Sequence, residues 1–416
     1  MKKFKDKIYY LLNKYSKKVG LDLPYFVKGG FWLSLNQFFS LLKAFMLSLI
    51  FANILSKQTF GEYSFILSIL GIAGSLVLPG MGVAVVQAVA RGYDGTYFKA
   101  LKEIIKWSWL GSLFLIGFSI YEYFFGNYSL GLVFLLLSIV FPLYPVSGFY
   151  PNFLNGKKRF DILAKLSIIF NIITTILISI TAFISKSAFW IAILSVLLQI
   201  IIGGYYSLFY VKKYLENNYV DEESIKFGKK ISPSITFSSF VNNFDSLIIV
   251  YFLGYEELAI YKIVTLIPNQ IKIAINALSP MILPKMASQD LKKKDVIIHM
   301  KKLFFIILFL IGIYWLIAPI IFKIFYPKYY KYVWLSMIFH LSFIAFLNLI
   351  PYTYLLKEKK NTLVSKFYNW SSFLSIFVSI VLIHLFGLIG AIVSRIIYRF
   401  LTMFILFFYF YSYNKK

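Results

Sequence analysis

The chain is a succession of apolar runs, each about 20 residues or longer, broken by short polar links. Twelve such runs can be drawn, at about 28–54, 62–90, 103–125, 129–150, 161–184, 188–211, 231–253, 258–286, 303–325, 332–356, 362–385 and 387–411. A run of about 20 apolar residues is the length that crosses the hydrocarbon of a bilayer as an α-helix. With 60% hydrophobic and only 14% charged residues in 416, the composition lies well outside that of soluble domains, whose apolar share is about 45–50%. The period-2 alternation of a membrane barrel is absent. The sequence therefore predicts an all-α integral membrane protein of about twelve transmembrane helices.

The basic residues fix its orientation. About 33 of the 43 Lys and Arg fall in the N-terminal segment, in links near 91–106, 157–165, 212–230, 285–302 and 357–366, and at the C-terminus. The alternate links hold only Lys57, Lys186, Lys323, Lys328 and Lys331. By the positive-inside rule both termini are expected to be cytoplasmic, and the net charge of +26 is read as membrane topology, with no nucleic-acid partner. Residues 1–27 place Phe4, Ile8, Leu11, Leu12, Tyr15 and Val19 on one helical face, with Lys3, Lys7, Lys14, Lys17 and Lys18 largely off it. This predicts an amphipathic cytoplasmic segment on an anionic leaflet, and its lack of a continuous apolar core argues against a secretory signal. With no cysteine, the redox compartment is undetermined.

The longest polar link, residues 212–230, divides the runs six and six, which predicts lobes at 28–211 and 231–416 joined by a cytoplasmic linker. Leu55–Tyr63 aligns without gaps to Leu253–Tyr261, with only the terminal Leu and Tyr identical. Each copy is the turn between the first two helices of a half, as expected of parallel-repeat transporters.

The eighth run carries Lys262, Thr265, Asn269, Lys272, Asn276 and Ser279 at steps of three or four, a polar stripe on one helical face. A cation at the centre of a spanning helix costs about 2.5–3.5 kcal/mol on insertion scales, so such a stripe has to face a wet space or an opposite charge. Counting inward at about 1.5 Å per residue, Asp245 and Arg395 lie about 12 Å deep, Lys43 about 16 Å, and Arg399 and Lys272 about 20 Å. Lys262 is shallower. Shorter stripes, Asn36-Ser40-Lys43 in the first run and Ser238-Asn242-Asp245 in the seventh, are expected to meet across a central space. Five buried cations face one carboxylate, an imbalance that points to an anionic substrate such as a phosphate. Asp245 is expected either to neutralise Lys272 or Lys43, or to take up a proton or Na+ as a coupling ion. The bland alternatives are snorkelling for Lys262 and structural pairing for the two arginines, which are i, i+4 neighbours.

His340 and His384 sit in apolar runs and read as packing residues. Metal-ligand clusters, nucleotide loops and nucleophile elbows are absent, so no cofactor is expected. Pro79-Gly80-Met81-Gly82 reads as a kink in the second run, and Pro233, Pro268, Pro280 and Pro284 as bending points. The 32 Tyr read mainly as interfacial anchors.

On the basic N-terminus leading into the first run, the turn Leu55–Tyr63 running into Ser64–Ser68, and the second copy at Asp245–Tyr261, the chain resembles the polysaccharide repeat-unit flippases of the O-antigen and capsule type. These belong to the multidrug, oligosaccharidyl-lipid and polysaccharide exporter superfamily. The resemblance implies two six-helix bundles around a cavity lined by the first, second, seventh and eighth helices. It also implies a bacterial inner-membrane location and alternating-access translocation of an undecaprenyl-diphosphate-linked oligosaccharide. Polysaccharide polymerase and glycosyltransferases would be its partner proteins. Matched residue by residue, it points to Asn36, Lys43, Asp245 and Lys272. The wider set expected to hold diphosphate and sugar adds Lys262, Asn269, Asn276, Arg395 and Arg399. The chain departs from the pattern at Ser56 and Ala259, where glycine is usual, and Lys43 stands where drug exporters often carry an acid. A cation antiporter would call for excess acids at the site, and a membrane polymerase or ligase for a substantial outer loop. Neither is present in the sequence.

Overall fold

The computed structural model describes the backbone of residues 23–288, 293–348, 351 and 361–412. It leaves out the side chains of 23–28, 273–296, 299 and 361–370. The amphipathic segment expected over 1–27 falls almost wholly outside these residues, as does the side chain of Asn276.

Helix occupies each expected run. The first is filled by α1 (Leu23–Ile54), the second by α2 (Lys57–Ser75) and α3 (Gly80–Ala90), and the third by α4 (Thr96–Phe125). The fourth holds α5 (Tyr128–Val140), α6 (Leu143–Ser147) and α7 (Tyr150–Gly156). Next come α8 (Phe160–Ser185), α9 (Ala188–Tyr214), α10 (Glu222–Leu253), α11 (Tyr255–Ser288) and α12 (Lys293–Phe325). The tenth run is α13 (Val333–His340) between 3-10 turns, and α14 (Asn361–Ser412) covers the last two. Eight helices among the described residues are long and apolar enough to cross a bilayer, or ten if each bent pair is one span. The protein is thus a multi-pass membrane protein.

Three runs differ from unbroken helices. The second bends by 58° between α2 and α3, across the Leu76–Pro79 break where Leu78 takes a left-handed φ of 46°. The fourth bends by 59° at Phe141-Pro142, where proline removes an N–H and restricts the residue before it. In the tenth, Pro327–Tyr332 and Leu341–Asn348 are 3-10. The His340 and Phe343 rings lie 4.0 Å apart, as suits a three-residue turn in which i and i+3 side chains eclipse. His340 also stacks on Tyr314 at 4.2 Å, so it packs as expected.

The last two runs fold back on each other at Gly387, whose φ of 57° and ψ of −134° break α14. The arms pair through Ser379 with Ser394 and Ser372 with Tyr398, each at 3.3 Å.

At the basic end, residues 215–221 are laid against the turn after α3. Asp94, fully buried, accepts from the Glu216 N–H at 2.8 Å and the Lys157 ammonium at 2.7 Å. Asn217 donates to the Gly92 carbonyl, and Arg91 and Lys99 pair with Asp221 and Glu222. Asp221 caps α10 by accepting from the Ser224 N–H at 3.0 Å. That N–H, with the Ser224 hydroxyl and the Arg91 charge, holds its carboxyl below the usual aspartate value. Burial alone would lower Lys157, but hydrogen bonds to Asp94 and Glu216 raise it overall.

Candidate functional site

The site lies where α2, α10, α11 and α14 meet. Asp245 is 4% exposed and takes the Nε–H of Arg395. It also accepts from the Tyr261 hydroxyl at 2.9 Å and the Ser379 hydroxyl at 3.5 Å. The remaining Arg395 fork donates to the carbonyls of Val241 and Asn242, both at 3.1 Å. The sequence had suggested Lys272 or Lys43 as the partner of Asp245; it pairs with Arg395 instead. Arg395 on α14 is nearer in space because the hairpin at Gly387 lays its second arm along α10. The pair braces the seventh run to the twelfth and leaves both partners largely satisfied.

The other cations have neutral partners. Lys262 donates to Ser246 at 3.0 Å and, across to α2, to Ser68 at 3.3 Å. Arg399 donates to the Ser342 hydroxyl at 2.6 Å and the Asn269 carbonyl at 2.9 Å, with its guanidinium 4.7 Å from the Phe339 ring centre. Lys272, half-buried, has no acid facing it among the described residues, and the charges it feels are the like charges of Arg399 and Arg395. The structure thus brings Asn269 and Arg399 together beside Lys272, with Asp245 already matched to Arg395, while Lys262 lies about 15 Å from Lys272 along α11, against Ser246 and Ser68.

The first-run stripe faces elsewhere. Lys43 donates to Thr174 of α8 at 2.8 Å and lies over the Phe170 ring at 4.8 Å, while Asn171 donates to Ser40 at 3.2 Å. The stripes of α1 and α10 do not meet, because α8 offers hydrogen-bonding groups at matching depth inside the same half. Asn36 is half-buried, and its side-chain oxygen is buried without a partner. Of the expected α10 stripe, Ser238 and Asn242 are exposed.

The halves are sealed unequally. At the end away from the basic loops, Ser48 and Tyr326 share a hydrogen bond of 2.7 Å. There Asn53 donates to the Phe325 carbonyl at 3.0 Å, and Lys328 to the Asn53 carbonyl at 2.7 Å. Gly61 lies so close to the Tyr255 carbonyl that a Cβ would come within 1.8 Å of it. The seam between α2/α3 and α10 is also closed toward the basic end, by Ser232 on the Gly80 N–H and Thr236 on the Ser75 carbonyl, and α10 is tied to α4 by Lys229 with Glu103. Toward the basic end the side chains of α11 beyond Lys272 fall outside the described residues. There Phe31, Leu33, Phe38 and Leu42 of α1 are exposed.

Residues 26–288 match the family model described as polysaccharide biosynthesis protein. The chain belongs to this family. Its fold is that of transporters of the MOP superfamily. A MATE family multidrug resistance transporter in an outward-facing conformation superimposes with a TM-score of 0.62 at 11% identity, over 93% of this chain and 95% of that one. An inward-facing conformation gives 0.59 at 13% identity, over 89% and 94%. A MOP superfamily transporter from Pyrococcus furiosus, described as having a binding pocket of reverse polarity that suggests a different function, gives 0.58 at 12% identity, over 93% and 95%. No curated protein matches.

Sequence reasoning missed the neutral partners Ser68, Ser246, Thr174 and Asn171. They sit at helical spacing in apolar runs, and nothing in the sequence separates them from ordinary packing serines and threonines.

Proposed function

We propose that this member of the polysaccharide biosynthesis family is a flippase. It moves an undecaprenyl-diphosphate-linked oligosaccharide from the cytoplasmic to the outer leaflet of a bacterial inner membrane, by rocking of lobes 28–211 and 231–416. The observation that carries the reading is the junction of Lys272 and Arg399. Arg399 is held by Asn269, Ser342 and an aromatic ring, Lys272 has no acid facing it among the described residues, and the acid nearby, Asp245, is already matched to Arg395. Burying charge without a counter-charge is strongly unfavourable, and a diphosphate would supply what is missing through charge-assisted hydrogen bonds. Lys262 and Asn269 extend the set toward α2, and Asn276 continues the same face in sequence.

Asp245 and Arg395 act as a brace in this scheme, and Lys43 belongs to the wall of the first half. The exposed apolar face of α1, Phe31, Leu33, Phe38 and Leu42, supports lateral entry, with the polyprenyl tail remaining in lipid while the head group reaches the cations. Export of a cationic drug would have to place a cation beside these side chains, which they oppose. Polymerase and glycosyltransferases would act after and before it.

The test uses proteoliposomes carrying a fluorescent lipid-linked oligosaccharide and an impermeant reagent that modifies only the outer leaflet. Wild type exchanges label between leaflets. The Lys272→Ala/Arg399→Gln variant, folded and inserted equally, is expected to lose at least about tenfold in rate, the equivalent of about 1.4 kcal/mol. Unchanged exchange would overturn the assignment.

A further inference from the structure

Away from the cations, a cavity of about 830 Å³ opens between the two halves, lined by Phe65 of α2, Phe114 to Glu122 of α4, Gly126 just past it, Leu247 to Tyr251 of α10, and Tyr255. It is within the size of ligand sites, about 300–1,000 Å³. From Phe114 to Gly126 its wall climbs twelve helical steps, about 18 Å at the helical rise. That is close to the depth of one leaflet's hydrocarbon, half of about 30 Å. Its upper end lies at the close of α4 and α10, the membrane face opposite the basic loops. The shape is that of a slot for acyl chain.

One wall residue is out of keeping with a chain slot. Glu122 is 3% exposed, and among the described residues its carboxylate accepts from the Asn127 N–H at 3.0 Å and, at 3.4 Å, from the Tyr255 hydroxyl. An ionised carboxylate has about four acceptor positions, so about half remain open. Its neighbour Glu62 is reached by Gln58 and Asn127, at 2.9 and 3.4 Å. Among the described residues neither acid is paired with a Lys, Arg or His. Aromatic faces at Tyr121 and Tyr255 complete a setting that favours a cation.

We propose that this crevice holds an aminophospholipid, its chain between α4 and α10 and its ammonium on Glu122. The inference is independent of the transported substrate. Charge complementarity selects the head group and depth selects a lipid over a soluble ligand. Because Phe65 and α4 come from the first half, and α10 and Tyr255 from the second, the lipid would lie across the seal formed by Gly61 and Tyr255.

The test is native mass spectrometry of the full chain released from nanodiscs containing equimolar dioleoyl phosphatidylethanolamine, phosphatidylcholine and phosphatidylglycerol. Wild type should retain phosphatidylethanolamine over both others by about tenfold, the scale of one charge-assisted hydrogen bond. This would run against the +26 net charge, which favours phosphatidylglycerol overall. Glu122→Gln should bring the ratios to about one. Ile248→Trp, which fills the slot and keeps the carboxylate, should lower phosphatidylethanolamine retention as well. That second variant serves if Glu122→Gln fails to fold. The proposal is overturned by phosphatidylcholine binding as well as phosphatidylethanolamine, by a preference surviving either substitution, or by retention of added dodecylamine in place of any phospholipid.

Discussion

Removing the Asp245 charge is the sharpest perturbation of the helix packing. In Asp245→Leu, Arg395 would keep its bonds to the Val241 and Asn242 carbonyls but lose its only counter-charge, and Tyr261 would lose its acceptor. Breaking a buried ion pair by deleting one partner costs about 3–5 kcal/mol, whereas replacing both partners with apolar residues is often neutral or stabilising. Arg395→Met leaves Asp245 with only Tyr261 and Ser379, and should cost a similar amount. The double variant should then recover most of the loss, giving a coupling energy of about 3 kcal/mol or more of opposite sign to the single effects. The assay is thermal and denaturant unfolding in one detergent for all four proteins, followed by the leaflet-exchange assay. A brace predicts that the double variant still transports and keeps the ion-gradient dependence of the wild type. Additive single effects, or a stable Asp245→Leu protein, would refute the brace. Loss of gradient dependence in a stable double variant would restore Asp245 as the site of a coupling proton or Na+.

Three further outcomes follow from local geometry. Gly61→Ala places a Cβ against the Tyr255 carbonyl, so it should cost about 1–3 kcal/mol and raise cysteine accessibility at the far-end seam. Gly387→Ala puts a side chain at φ 57°, which should cost about 1–2 kcal/mol in a thermal melt. Asp221→Ala removes the α10 cap and should cost about 0.5–2 kcal/mol, read as faster hydrogen exchange over residues 215–225. Because the Asp221 carboxyl is held below its ordinary 3.8, its contribution is full above that pH. It should fade as pH falls through the lower folded value, with exchange protection of the linker falling in step.

The helices were legible because spanning runs and their breaks are written in hydropathy and in Gly and Pro. Pro79 marks a bend that the sequence located, and Gly387 falls at the boundary drawn between the runs 362–385 and 387–411. Pro142 marks a bend that it did not, because Phe141 and Leu143 keep the run apolar across the proline. Counting residues from the turns assigned the cations their depths. Their partners were not legible. Helical periodicity gives the face of Asp245 on its own helix but says nothing about which distant helix lies against it, so Arg395 emerged only with the folded hairpin. The same holds for Lys43, whose neighbour Thr174 is 131 residues away. Glu122 closes an apolar run and reads as an ordinary helix end until α10 is brought beside it.

The most direct measurement is binding of an undecaprenyl-diphosphate oligosaccharide to the protein in nanodiscs, compared with the same lipid carrying a neutral head. Recognition by Lys272 and Arg399 predicts that the charged lipid binds at least about tenfold more tightly, and that Lys272→Ala/Arg399→Gln abolishes the difference. Equal binding of the two lipids, or a preference that survives the double substitution, would contradict it.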